Sequence, residues 1–189
     1  MAIDDSAELV ITAPPPFGAA LAHHARCRLT LGVLTQLIAE AKKRVVIAAP
    51  YLQPGYGLSG GPIALALEAA VSRGVQFDIV STGQSLRSLA LPVNAGGMQF
   101  YCPKSNLEDG LLLGCHAKFC VADRDAAYVG SANLTGPGLT QHLEMGILVK
   151  GPLAEQIADF WEYCVQIGLF IDVTKKRELL PTSGTAGGF

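Results

Sequence analysis

Charge is scarce in this chain. Only 16% of its 189 residues are Asp, Glu, Lys or Arg, against 50% hydrophobic residues. The 14 Lys+Arg nearly balance the 16 Asp+Glu, for a formal net charge of −2. Intrinsic disorder requires the opposite composition, low hydrophobicity with high net charge, and is excluded. An isoelectric point near 6.1 excludes a uniformly basic nucleic-acid-binding domain, while a local basic patch stays open. Long apolar runs are also missing. Val45 to Ala49 is the longest candidate and is strand-sized, far below the roughly 18 residues that span a bilayer, so no transmembrane segment is expected. The start, Met1-Ala-Ile-Asp-Asp-Ser-Ala-Glu8, is acidic where a secretory signal would be basic. There is no Cys-x-x-Cys. The five cysteines (Cys27, Cys102, Cys115, Cys120, Cys164) are odd in number, which favours reduced, buried thiols and a cytoplasmic location over a disulfide framework.

What remains is enough to bury one core without staples. The run Pro14-Pro15-Pro16 forbids regular structure, and Phe17 to Arg28 has room for a short helix. From Thr30 the periods are clear. Leu31, Leu34, Leu37, Ile38 and Ala41 recur at helical spacing, with Thr30 placed to cap and Lys42-Lys43-Arg44 placed at the carbonyl end. Val45 to Tyr51 reads as a buried strand. Pro62 opens a second helix that Gly74 stops. Val75 to Ser81 and Met98 to Cys102 follow as strands. Strand and helix alternating over short connections predict an α/β fold, a layered α-β-α sandwich on a mixed β-sheet. After residue 110, Cys115 to Ala122 and Ala126 to Gly130 read as strands joined by a tight hairpin at Asp123-Arg124-Asp125. Leu143 to Lys150 is another strand, and Ala154 to Leu169 an amphipathic helix whose Trp161 belongs to the core. No repeat or linker divides the chain. The expected layout is an N-terminal segment over 1–28, one catalytic domain over 29–172 and a flexible tail over 173–189.

The chemistry concentrates in Cys115-His116-Ala117-Lys118-Phe119-Cys120-Val121-Ala122-Asp123, followed by Gly130-Ser131-Ala132-Asn133. In a strand, His116 and Lys118 share one face about 7 Å apart, and Phe119 and Val121 serve the other. The returning hairpin then brings Ser131 and Asn133 alongside. An imidazole, an ammonium, a hydroxyl and an amide converging on one spot suit a phosphate. Lys118 would neutralise one nonbridging oxygen, and Asn133 and Ser131 would donate to others. His116 is left to attack phosphorus or to move a proton.

These residues are similar to a known signature. His116-x-Lys118-x4-Asp123 with Gly130-Ser131-x-Asn133 resembles the phospholipase D superfamily, whose members act on phosphodiesters. The resemblance is specific over residues 110–150. It extends loosely to Ala49-Pro50-Tyr51-Leu52, where the family often carries an aromatic residue after the first sheet strand. Single-motif members of comparable size include bacterial endonucleases and a small phospholipase D-like protein of a phage-defence system. The resemblance implies a phospholipase D-like fold and His116 as a nucleophile that forms a covalent phosphohistidine. It also implies Lys118 and Asn133 on the phosphate with Ser131 assisting, and Glu144 accepting from the second ring nitrogen of His116. The reaction it implies needs no metal and no cofactor. Asp123, at the hairpin tip, reads as structural, holding the turn or neighbouring backbone.

The family reaction uses two motifs, one histidine attacking while the other protonates the leaving oxygen. This chain has one. His23-His24-Ala25-Arg26 lacks the lysine and any Gly-Ser-x-Asn partner, so a homodimer pairing two His116 side chains across a two-fold axis is expected. Other signals are weaker. Cys115, His116, Cys120 and His142 do not suit one zinc site, because alternation sends Cys115 and His116 apart. Gly55-Tyr-Gly-Leu-Ser-Gly-Gly61 lacks the Gly-Lys-Ser/Thr of a nucleotide-binding loop and reads as a flexible rim. His142, near the Glu144 strand, has substrate contact as one reading and reads more simply as an exposed histidine. Lys42-Lys43-Arg44 and Lys175-Lys176-Arg177 read as solvated helix ends. The leading expectation is a dimeric, metal-independent nuclease acting on nucleic acid. Its rivals are a phospholipid hydrolase or transphosphatidylase, for which no basic amphipathic helix is evident, and a catalytically silent subunit bound to proteins of a defence complex.

Overall fold

Nine strands form one mixed sheet among the described residues, which in this computed structural model are 6–91, 96–104 and 113–179. In chain order the elements are β1 (Ala7–Thr12), α1 (Phe17–Ala25), β2 (Arg28–Leu29), α2 (Thr30–Glu40), β3 (Arg44–Ala48), α3 (Gly61–Ser72), β4 (Gln76–Val80) and α4 (Gly83–Ser88). Then come β5 (Met98–Pro103), β6 (Phe119–Ala122), β7 (Ala126–Gly130), α5 (Gly136–Thr140), β8 (Glu144–Lys150), α6 (Pro152–Gln166) and β9 (Phe170–Asp172). The spatial order is β2-β1-β8-β7-β6-β3-β4-β5-β9. Strands β3, β4 and β5 run parallel, and β6, β7 and β8 form an antiparallel meander joined to β3 through β6. The acidic start, Met1 to Asp5, and the end of the tail, 180–189, lie outside the described residues.

Alternation along the central strands builds two cores. Val45 and Ile47 of β3 join Phe77 and Ile79 of β4 under α2 and α3, with Val33, Leu34, Leu37 and Ile38 of α2 at helical spacing. Val46 and Ala48 point the other way and pack with Val121, Ala127 and Val149 beneath Ala154, Ala158 and Trp161 of α6. Helices on both faces explain why β3 reads as an unbroken apolar run. Asp78 is the buried exception on the α6 side. Its Oδ2 accepts from Arg44 Nη2 at 2.6 Å and from Trp161 Nε1 at 3.0 Å, so the charge is paired and α6 is fixed to the sheet through it.

The N-terminal segment joins this sheet. β1 pairs antiparallel with β8 along its whole length, from Ala7 opposite Val149 to Thr12 opposite Glu144. Thr30 does not cap α2. Leu29 holds the capping position and Thr30 is the first helical residue, fully buried, since β2 runs directly into the helix. Lys42-Lys43-Arg44 do not close the helix either, because α2 ends at Glu40 and their backbone is engaged elsewhere. The start of the expected tail is anchored: Val173 is buried and its N–H donates to the Phe100 carbonyl at 2.8 Å, while Thr174 Oγ1 accepts from Phe100 N–H.

Candidate active site

The hairpin β6–β7 positions the site by its two ends. At the tip, Asp123 and Arg124 both adopt positive φ, 52° and 67°, and Asp125 N–H closes on the Ala122 carbonyl at 3.0 Å. Two consecutive left-handed residues match the twist of the flanking strands. The Asp123 carboxylate accepts from the backbone N–H groups of Lys42, Lys43 and Arg44 at 2.6, 2.8 and 2.9 Å. Burial works against its charge, yet those donors from Arg44, Lys42 and Lys43, with the Lys43 ammonium, outweigh it and hold the carboxyl below its ordinary value. Asp123 thus holds the backbone entering β3, at the opposite end of β6 from His116.

At the open end, the expected strand over Cys115 to Ala122 is shorter. β6 begins at Phe119, opposite Ala48. β3 stops at Ala48 and β7 at Gly130, whose N–H still reaches the Lys118 carbonyl, so residues 115–117 have no neighbouring strand to pair with. Lys118 therefore turns back instead of alternating. Its Nζ donates to its neighbour's carbonyl, His116 O, at 3.0 Å and lies 3.2 Å from His116 Nδ1 and 3.5 Å from Nε2. Only 8% of Lys118 is exposed, whereas His116 faces solvent. Burial lowers the Lys118 pKa from its ordinary value, and the negative charge of Glu144 pushes it partly back. The ammonium is therefore poised beside an accessible imidazole, and a bound phosphate would relieve its desolvation.

Backbone pairing carries Gly130, Ser131 and Asn133, the second part of the motif, to the same place. Gly130 N–H donates to the Lys118 carbonyl at 3.1 Å, and Lys118 lines a small cleft with Ala49, Ala132 and Leu134. Gly130 is needed for room, since a Cβ there would overlap the Tyr128 hydroxyl, whose ring crosses beneath it. Ser131 N–H donates to Met145 O at 2.9 Å, the Ser131 hydroxyl donates to Glu144 Oε2, and Met145 N–H donates back to that hydroxyl at 3.1 Å. Asn133 is half-buried, and its Oδ1 is buried without a hydrogen-bond partner among the described residues.

Within one chain, Glu144 does not orient His116. Its carboxylate is occupied by Ser131 and by His142, whose Nδ1 lies 3.6 Å from Glu144 Oε1. The reason is the path of the chain: residues 131–144 leave the sheet for α5 and return with His142 next to Glu144. His142 is exposed, as expected, yet it belongs to the site's edge. Its place two residues before Glu144 is the sequence signal for that role. Residues 55–60 are not a loose rim. The Ser59 hydroxyl accepts from Gly55 N–H at 2.9 Å, and a Cβ on Gly60 would overlap the Gly55 carbonyl, so the loop is closed tightly on itself. Four of the five thiols are buried and Cys27 is half-buried. Cys115 is buried where His116 is exposed, and burial pushes Cys120 up to about 12. No three His, Cys, Asp or Glu side chains among the described residues cluster as a metal site.

One side of the site is bare. The alternation that puts Ala127 and Val149 under α6 puts Val129, Ile147 and Met145 on the same sheet face, beyond the helix. Leu9 opposes Ile147, which opposes Val129, so the three form a row across β1, β8 and β7. These side chains are 39–57% exposed, and Met145 adjoins Ser131 and Glu144 directly.

The model of the family described as "Cardiolipin synthase, PLD-like domain" matches residues 34–165. An envelope phospholipase of vaccinia virus is 28% identical over 132 residues, which cover 65% of this chain and 33% of the viral protein. The chain thus spans about a third of the length of the curated relatives it matches. The fold is shared with Nuc from Salmonella typhimurium, a phospholipase D family member, at a TM-score of 0.61 and 19% identity over 89% of this chain and 98% of that one. It is shared equally with NucT from Helicobacter pylori, at 0.63 and 17% identity over 89% and 99%. No helix among the described residues is long and apolar enough to cross a membrane. With the family match spanning most of the sheet and both motif segments, the chain belongs to the phospholipase D superfamily, a family of phosphodiesterases and related hydrolases.

Proposed function

We propose that this protein is a metal-independent phosphodiesterase that cuts nucleic acid through a covalent phosphohistidine, in a site completed by a second copy of the chain. The observation that carries the proposal is the Lys118 ammonium lying 3.2 Å from an exposed His116 imidazole, with Ser131 and Glu144 at the same end of the hairpin. A phosphate seated there meets a cation, hydroxyl and amide donors, and a nucleophile, and Lys118 supplies the charge neutralisation that phosphoryl transfer requires. A His116 nitrogen attacks phosphorus, and a P–N bond forms as the bond to the leaving oxygen breaks. The leaving oxygen takes a proton from a second imidazole. Water then attacks the phosphohistidine and gives its proton to that second imidazole, which breaks the P–N bond and restores His116.

A single chain holds one such histidine-lysine pair. An isologous dimer supplies the second His116 by symmetry. The uncovered row of Leu9, Val129 and Ile147 with Met145 fits this role, because it is apolar, flat and next to the incomplete site. Nucleic acid is favoured because single-motif members of this size include bacterial endonucleases, and the chain matches Nuc and NucT over almost their whole length. Among the described residues there is also no long basic amphipathic helix for a lipid surface. Relatedness to an envelope phospholipase favours a second reading, the same chemistry on a phospholipid. The test is cleavage of labelled single-stranded DNA in EDTA by wild type and His116→Ala. Cleavage that survives chelation and vanishes in the variant supports the nuclease. Headgroup release from phospholipid vesicles without DNA cleavage shifts the assignment to lipid, and DNA cleavage by both proteins removes His116 from its role.

A further inference from the structure

Where β3 leaves the sheet, the chain does not turn away from the site. Ala49 N–H donates to Val80 O at 3.0 Å, and residues 51–53 then run beside 133–135. Leu52 and Leu134 form a parallel bridge, Gln53 N–H donates to Leu134 O at 3.3 Å, and Gln53 Oε1 accepts from Gly136 N–H at 2.9 Å. Leu52 and Leu134 are both buried. The bridge therefore sets their neighbours side by side, Tyr51 next to the half-buried Asn133. Tyr51 is 54% exposed there, level with the amide assigned to the phosphate.

A second aromatic ring is fixed to the same segment. Tyr56 sits on the closed loop 55–60 and packs against Gly136, where a Cβ would come within 2.9–3.1 Å of three consecutive ring atoms, Cε1, Cζ and Cδ1. Gly136 opens α5, three residues after Asn133, so its bare backbone is the seat of the ring. Tyr56 remains 47% exposed. Neither phenol makes a hydrogen bond among the described residues, and neither ring is closed over by another aromatic side chain there. Tyr56 is seated on backbone and Tyr51 stands on the segment paired with 133–135, so two amphipathic rings flank the Asn133 segment with much of their surface open.

We propose that Tyr51 and Tyr56 form an aromatic platform on which the nucleobases beside the scissile phosphate stack, which makes single-stranded nucleic acid the substrate. The proposal rests on the phosphodiesterase reading above and narrows it. Stacking is the fitting chemistry because any base presents a flat face, and the seated Tyr56 ring loses little ordering entropy on binding. A duplex keeps its bases stacked on each other and would have to surrender that stacking to reach the platform, which is why a single strand fits. Sequence preference should be weak, since both rings have no other hydrogen-bonding partner than the single phenol each carries.

The experiment measures KM and kcat for cleavage of a labelled single-stranded oligonucleotide and of the same backbone carrying tetrahydrofuran abasic residues. The proteins are wild type, Tyr51→Ala, Tyr56→Ala and the two Phe variants. On the intact strand each Ala variant should raise KM about 5- to 150-fold with little change in kcat, the range expected of one base–aromatic stack. The Phe variants, which keep the ring, should match wild type. On the abasic strand wild type and the Ala variants should converge, because base and ring are two halves of one interaction. Equal losses on both strands, or Phe variants as impaired as Ala, overturn the platform, and thermal unfolding of each variant identifies a misfolded one. Ala variants that spare the oligonucleotide but lose headgroup release from vesicles overturn it in favour of a lipid-facing rim. Failure of wild type to cut either strand, with His116→Ala no different, overturns the nuclease reading itself.

Discussion

The β6–β7 hairpin ends in two clusters of polar residues that differ in what they leave unpaired. At the tip, the Asp123 carboxylate is taken by three backbone N–H groups, and Arg124 is held by Asp159, Glu155 and Glu162 of α6. At the open end, His116 faces solvent, and among the described residues the Lys118 ammonium has only the His116 imidazole and its carbonyl, while Asn133 Oδ1 has no partner. Both ends carry motif residues. The tip spends its polar groups on holding two distant pieces of chain together, and the open end keeps them available for a ligand. Being in a motif therefore says nothing about which of the two a residue does.

Exchanging the same substitution between the two ends gives the sharpest contrast. His116→Ala should lower phosphodiester cleavage on the order of 10⁴-fold or more, as loss of a nucleophile does, and leave the unfolding midpoint where it is. Ile147→Asp places a charge in the bare apolar row. It should yield a monomer in sedimentation and lower activity about 10²- to 10⁴-fold, the share of one proton-transfer group. A monomeric variant with full activity would sink the shared-site dimer.

Asp123→Ala should do the reverse of His116→Ala. Three backbone donors, two exposed and one part-buried, lose their acceptor, which costs about 1–2 kcal/mol, or roughly 2–8 °C in midpoint for a chain of this length, while kcat stays close to wild type. The acid side checks the cause. The folded Asp123 carboxyl lies below its unfolded value, so its stabilisation is complete above the unfolded pKa and is lost as pH falls through the folded one. The Ala variant should show less of that acid loss in a pH series of melting curves. The smallest effect concerns Lys118, which burial holds below the ordinary lysine value and Glu144 supports. Since the phosphate grip needs the ammonium, the alkaline limb of the rate should lie below the ordinary lysine range. Glu144→Gln should move it further down, and an unmoved limb would remove Glu144 from Lys118's surroundings.

Much of this was readable along the chain. The apolar runs of β3 and β4, Gly74 after α3, and the turn at Asp123-Arg124 are local signals with local causes, and the structure has each where its pattern points. Asp123 as a holder of backbone followed from its residue type. Its actual partners, some 80 residues away, could not, because a hydrogen bond to N–H groups leaves no mark on the identities of Lys42, Lys43 and Arg44. The end of β6 was misjudged for a related reason. Cys115 to Ala122 alternates like a strand, but a strand needs a neighbour, and β3 runs out at Ala48.

The sequence by itself determined the layered fold, the residue types of the site and their grouping into two segments of one motif, because periodicity, turn chemistry and functional groups are written residue by residue. Tertiary structure decided which of those groups meet. It turned Lys118 back onto His116, gave Glu144 to Ser131 and His142, seated Tyr56 on Gly136, and left one row of the sheet uncovered beside the site. Each of these depends on where strands end and which segments run side by side, and those are outcomes of packing the whole chain at once.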